Sequence, residues 1–470
     1  MYAHVQYPDS IEPLVQFIEE TTPENIVEKT VDKLRNGVSI KQMCTASGLA
    51  VLRSSEMPFF PNGQWGHHGG HMHPVSGLHA VKEIAARMKG ESCFLPMVQN
   101  VALANKHIHH PAMGPYLLPE FEPLDAGGVE ETKKAFFAAA SRGSVNDADH
   151  HFLWLAENLP PEQVLDILLT VAIPKNVMDD HKFIYPIYTY RFLEWMDWEH
   201  FQVFIRGPVR YVSQTRSPGP VKEIVELIEK YQLLYKPLRE RTGEDETQAI
   251  VRAHEVMNGA FEDLPEITAQ TLAQGLSLEG TSEALSFAAS NLFLRLDTNN
   301  PMDVHMHTAA NVRRYLMRVK GVSTENKISA LMLWNSGPEI RNAANRLSSE
   351  PKPHPDAVAA IPRQSQQKLL DAISSAIAAN DVDGATTRVE KYGELEYFVQ
   401  PLITILAEIA CRDNITEMHA LKHHQATVEE FMTTRAPFRF RHLVAAAKAA
   451  AISYGKAQEV YEKALPLLNI

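Results

Sequence analysis

Apolar residues return every three to four positions along most of this chain. That spacing marks one buried face of an α-helix, and a strand would alternate instead. The pattern is clear in residues 39–53 (SIKQMCTASGLAVLR), 161–172 (PEQVLDILLTVA), 221–235 (VKEIVELIEKYQLLY) and 282–295 (SEALSFAASNLFLR). Helix-start signals recur with it, at Thr22-Pro23-Glu24, Pro160-Pro161-Glu162 and Ser323-Thr324-Glu325, where Pro and acidic residues suit a first turn. No series of alternating β-branched runs joined by Asn-Gly turns is present. The spacing predicts an all-α protein.

The chain also repeats itself. HMHPVSGLHAVKEIAARMKG from His71 parallels HMHTAANVRRYLMRVKG from His305, and Asn146-Asp147-Ala148-Asp149 parallels Asn380-Asp381-Val382-Asp383. Both matches are offset by 234 positions. Upstream, Gly37-Val38-Ser39 leads to Leu52-Arg53 as Gly275-Leu276-Ser277 leads to Leu294-Arg295. Downstream, the segment from Asp180-His181 to Phe192 resembles the one from Met418-His419 to Phe431. Matches in a constant order are the signature of internal duplication. Two similar helical halves packed with pseudo-two-fold symmetry are expected, residues 1–220 and 221–470, joined near QTRSPGP at 214–220.

Composition excludes several classes. The 470 residues are 45% hydrophobic, yet no run reaches the roughly 18 apolar residues of a membrane span. Lys and Arg number 45 against 57 Asp and Glu, which is no footprint for nucleic acid. Three separated cysteines build neither a disulfide framework nor a zinc finger. A cytoplasmic protein is the expectation, with no nucleic-acid or membrane partner. There is no GxGxxG, P-loop or GxSxG, so dinucleotide, nucleotide and α/β-hydrolase chemistry lack their parts.

What stands out is histidine, 21 in all, 13 of them before residue 220. His67, His68, His71, His73 and His79 crowd a Gly-rich loop, GHHGGHMHPVSGLHAV, that enters a helix. The first half is eight residues longer there, between Arg53 and His71, than the second is between Arg295 and His305. Neutral imidazole is a common ligand for first-row transition metals. Helical phase places His109 on one face with Val98, Ala102 and Asn105, leaving His107 and His110 as cations near a helix end. His150 and His151 follow Asp147 and Asp149, which read as structural residues at a helix start, and lack counterparts in the second half. His181 heads an aromatic stripe of Tyr185, Tyr188, Phe192 and Trp195.

These residues predict a metal-dependent enzyme with its site in the first half, the second half being a degenerate repeat. The expected ligands are drawn from His67, His68, His71, His73, His109, His150, His151 and His181. His181 and Tyr185 are the candidates for catalysis or proton relay. A His-dominated set with few carboxylates favours a transition metal, iron ahead of zinc. Phe59, Phe60, Trp65, Tyr185 and Tyr188 would suit an apolar or aromatic small-molecule substrate, hence a non-haem iron oxidoreductase. The alternatives are a non-catalytic helical-repeat scaffold, a haem-binding protein and a zinc-dependent hydrolase.

Overall fold

The computed structural model describes residues 3–58, 69–114, 116–176, 180–217, 219, 221–235, 243–259, 263–297, 300–334, 346–412, 416–435, 438–456 and 458–470. The fold is all-α. Among the described residues the extended pairings are two isolated bridges, His4 with Pro119 and Leu296 with Leu347.

The chain divides into two compact units. Unit 1 comprises residues 1–175, 181–219 and 458–470, and unit 2 residues 176–180 and 220–457. Unit 1 contains α1 (Glu12–Glu20), α2 (Ile26–Arg35), α3 (Ile40–Ser54), α4 (Met72–Arg87), α5 (Leu95–Ile108), α6 (Val129–Arg142), α7 (Val145–Asn158), α8 (Pro161–Ala172), α9 (His181–Trp195) and α10 (Phe201–Ser213). Unit 2 contains α11 (Lys222–Tyr231), α12 (Gly243–Gly259), α13 (Leu264–Ala273), α14 (Leu278–Arg295), α15 (His305–Arg318) and α16 (Thr324–Met332). It continues with α17 (Pro355–Ala359), α18 (Gln366–Ala378), α19 (Val382–Glu394), α20 (Gln400–Ala410), α21 (His419–Thr433) and α22 (Phe440–Ser453). A last helix, α23 (Glu459–Ala464), belongs to unit 1.

Local chemistry sets many of these boundaries. Ser39 accepts from the Gln42 amide while the Gln42 side chain accepts from the Ser39 amide, a capping box that starts α3. Ser277, Ser323, Ser365 and Asp381 cap α14, α16, α18 and α19 in the simpler way. Gly143, at φ 80°, closes α6.

The packing order is the same in both units. In unit 1, α1 packs on α3, α3 on α4, α4 on α9, α9 on α10, α10 on α7 and α7 on α6. In unit 2 the series runs α12, α14, α15, α21, α22, α19 and α18. The helix exits match as well: Leu118 donates to the Arg53 carbonyl and Ser348 to that of Arg295, both at 2.8 Å. One apolar cluster of unit 1 joins Phe136, Phe152, Leu168 and Val209 from α6, α7, α8 and α10, each large side chain contributing about 2 kcal/mol by leaving water.

Close packing of α3 on its neighbours depends on Gly48. A Cβ there would fall 2.7 Å from Phe204 Cζ and 3.0 Å from Leu78 Cδ1. In an open helix Gly→Ala is stabilising by about 1 kcal/mol. Here overpacking dominates, and Gly48→Ala should lower stability by about 1–3 kcal/mol in a denaturant titration.

Candidate functional site

In unit 1 the site forms where α4 begins. Gly70 has φ +59°, and a Cβ on it would lie 2.6 Å from the Glu56 carbonyl oxygen. Glycine therefore allows the turn that sends His71 and His73 into the core. The Gly70 carbonyl accepts from His107 Nδ1 at 2.7 Å, which ties this turn to α5.

His71 is engaged at both ring nitrogens. Nδ1 lies 2.8 Å from the Tyr185 hydroxyl and Nε2 lies 3.1 Å from Glu56 Oε1. Burial pushes the Tyr185 phenol well above its usual range, so it keeps its hydrogen and donates to Nδ1. Nε2 then carries the hydrogen given to Glu56. Burial alone would raise Glu56, but the Arg210 guanidinium and His71 hold it down at about 2. Arg210 reaches Glu56 at 3.0 Å and Asp149 at 3.1 Å. The structure thus places both ring nitrogens of His71, one of the expected ligands, in hydrogen bonds to a phenol and a carboxylate.

His73 and His181 meet directly, Nε2 to Nε2 at 3.2 Å, with ring planes at 65°. Both are buried. Two ligand nitrogens at tetrahedral corners about 2.0–2.1 Å from one ion would lie roughly 3.3 Å apart.

Other expected ligands lie elsewhere. His67 and His68, like Phe59, Phe60 and Trp65, lie outside the described residues. His109 points to solvent and caps the end of α5 through Asn105 O at 3.0 Å, while His107 is the buried member. Nearly every residue of α5 is buried, so its apolar pattern did not discriminate between faces. His150 and His151 bind the carbonyls of Glu122 and Leu124 at 2.8 and 3.1 Å, and His150 stacks on Phe121. They secure a surface strap and do not join the His73–His181 pair. Asp149, expected as a structural residue at a helix start, is fully buried and grips Arg206 as well as Arg210.

Unit 2 holds a second histidine cluster. His305 and His307 open α15, and His419 and His423 lie one turn apart on α21. His305 Nε2 is 2.9 Å from His419 Nε2, and His307 Nδ1 is 3.3 Å from His423 Nε2. His419 Nδ1 donates to the Thr416 carbonyl, so its Nε2 presents a lone pair toward His305. His442 from α22 adds a third ring edge-on to His307, centroids 5.8 Å apart. Glu430 lies in the same buried network, taking Ser286, Asn311 and Arg314. Burial and Arg314 act on it in opposite directions, and the net effect holds it at about 2.

This cluster corrects the sequence-based asymmetry. Among the described residues, buried histidines number five in the first half and six in the second. The surplus of the first half includes solvent-facing positions such as His109 and His110. The i, i+4 spacing of His419 and His423 was the available signal in the sequence. His73, His181 and His419 each present a buried imidazole nitrogen able to hold a metal ion.

No protein-family model matches the chain, and neither the curated proteins nor the solved structures include a match. The histidine geometry therefore carries the functional argument.

Burial holds His423 down at about 3, with His442 adding to the effect. It likewise outweighs the opposing pull of Glu430 and holds His442 at about 4. Unfolded, both would titrate near 6.5. A depressed histidine means that the unfolded state takes up protons the folded state refuses. Stability is thus intact above about pH 6.5 and falls as pH drops from there toward the folded values. At pH 5 the expected loss is up to about 2 kcal/mol for each histidine. Denaturant titrations at pH 7 and 5 measure it, and His442→Asn should reduce the pH slope by about one proton.

Proposed function

We propose that the chain is a duplicated helical protein acting as a metal-dependent enzyme, a non-haem iron oxidoreductase with an apolar or aromatic small molecule as substrate. The observation that carries this reading is the fixed tautomer of His419. Its Nδ1 hydrogen is spent on the Thr416 carbonyl, and its Nε2 lone pair is directed at His305 Nε2, 2.9 Å away. Metal-ligating histidines almost always donate their other ring N–H to a carbonyl or carboxylate in this way. Nitrogens at right angles about 2.1 Å from one ion lie about 3.0 Å apart. Both this spacing and the 3.2 Å of His73 and His181 suit nitrogens gathered on one first-row transition-metal ion, iron being the metal proposed.

In this reading His73, His181 and His419 supply ligand nitrogens, and His305 belongs to the same chemistry in unit 2. Tyr185 and His71 form a hydrogen-bonded series ending on Glu56, which holds the Tyr185 hydroxyl in place in the core. The aromatic run of α9, with Phe183, Tyr188 and Phe192 all buried, supports an apolar substrate.

Elemental analysis of protein made without a His tag tests the proposal. Stoichiometric iron is expected, lost in His181→Ala and His419→Ala but retained in His109→Ala. Metal-free folded protein would favour the helical scaffold, zinc alone would favour a hydrolase, and a Soret band would identify haem.

A further inference from the structure

A cavity of about 20 Å³ lies inside unit 2, between α20, α21, α22 and the 3₁₀ turn Pro301–Val304. Its wall is mostly small and apolar: Val304, Leu406, Ala410, Ala446, Ala449 and Ala450. Close-packed interiors leave few voids as large as a water molecule. Here the alanines at 446, 449 and 450, on one face of α22, keep a void open. Its volume decides what can enter. A single water needs about 10–15 Å³, so this space takes one water-sized or two-atom molecule. An aromatic substrate would need about 300 Å³ or more.

Polarity narrows the choice. Among the described residues the wall carries no charged side chain, so an ion finds no counter-charge. Ser453 Oγ donates to the Ala449 carbonyl at 3.2 Å, and Thr416 Oγ accepts from the Ala420 amide at 3.0 Å. His424 also lines the cavity, but both of its nitrogens are sealed from it. His423 differs. It is 1% exposed, its Nε2 faces His307, and its Nδ1 has no hydrogen-bond partner among the described residues. A buried nitrogen without a partner at a cavity wall marks where a ligand atom completes the site. A trapped water would want about two to four such groups. One nitrogen among methyl groups suits a neutral diatomic molecule better.

The cavity touches the histidine cluster of unit 2 at three points. Val304 directly precedes His305, the Thr416 carbonyl holds His419 Nδ1, and His423 pairs with His307. A molecule held here lies beside these imidazoles, in a space too narrow for the organic substrate.

We propose that this cavity binds dioxygen. The assignment rests on the iron oxidoreductase reading for its purpose, since a metal centre that oxidises an organic molecule needs an electron acceptor, and dioxygen is one of this size. Occupancy itself depends only on the dimensions and apolar character of the wall.

Xenon, an apolar atom that enters dry cavities, is the first probe. Crystals of the full chain pressurised with xenon should show one atom between α20, α21 and α22, against Ala446 and His423. Ala446→Leu should fill the space and abolish that peak, whereas Ala378→Leu, at the exposed end of α18, should leave it. Should Ala446→Leu fail to fold, Ala449→Leu on the half-buried part of the wall carries the test. Dioxygen is then read by its paramagnetism. In oxygen-saturated solution the methyl protons of Ala446 and Val304 should relax several times faster than under argon, and those of Leu369, buried outside the wall, much less. No xenon at this position, xenon retained in both wall variants, or equal relaxation at all three residues would overturn the proposal. Xenon bound in protein that carries no iron would uphold the cavity and sink the iron reading, and iron without xenon would do the reverse.

Discussion

Unit 1 is organised around one buried electrostatic series, Tyr185 to His71 to Glu56 to Arg210 to Asp149. Its members come from α9, the start of α4, the segment after α3, α10 and α7, so five parts of the unit meet through it. Each group is nearly inaccessible to water. Buried charges of this kind are tolerable when every partner is present, and removing one leaves an uncompensated charge costing about 3–5 kcal/mol. The direction of each hydrogen bond then follows from the ends of the series. A carboxylate held ionised by Arg210 must accept, and a phenol held protonated by burial must donate. His71 is left with one tautomer.

That constraint separates His71 from its neighbour two residues on. His73 lies on the same first turn but meets His181, and the pair has no carboxylate between its facing nitrogens. Unit 2 handles the same problem with different residues. There the buried acid is Glu430, neutralised by Arg314 and hydrogen-bonded by Ser286 and Asn311. The imidazoles of His305, His307, His419 and His423 face one another in pairs. Metal ligation needs unprotonated nitrogens, and burial holds His307 and His423 well below the usual histidine range.

Much of the fold was legible in the chain. The helix expected over 161–172 is Pro161–Ala172, and the one expected over 39–53 is Ile40–Ser54. The start of the latter is fixed locally by the Ser39–Gln42 capping box, which acts over three residues. The site was legible only in part. His73 and His181 were both on the expected ligand set, and they meet. His71, His109, His150 and His151 were on it too, and hydrogen bonds to a phenol, a carboxylate or backbone carbonyls occupy them. The importance of His419 and His423 escaped a reading that weighed histidine number over burial.

The sequence by itself determined the helical class, many helix limits and the repetition of the HMH and NDxD segments. Periodicity and caps are local effects, acting within a turn or two, and need no knowledge of distant partners. Which imidazole faces which was decided by tertiary packing. His71 and Tyr185 are 114 residues apart, His73 and His181 are 108, and His307 and His423 are 116. A histidine's role is set by what lies within hydrogen-bond reach of its two nitrogens, and in a helical protein those neighbours come from other helices.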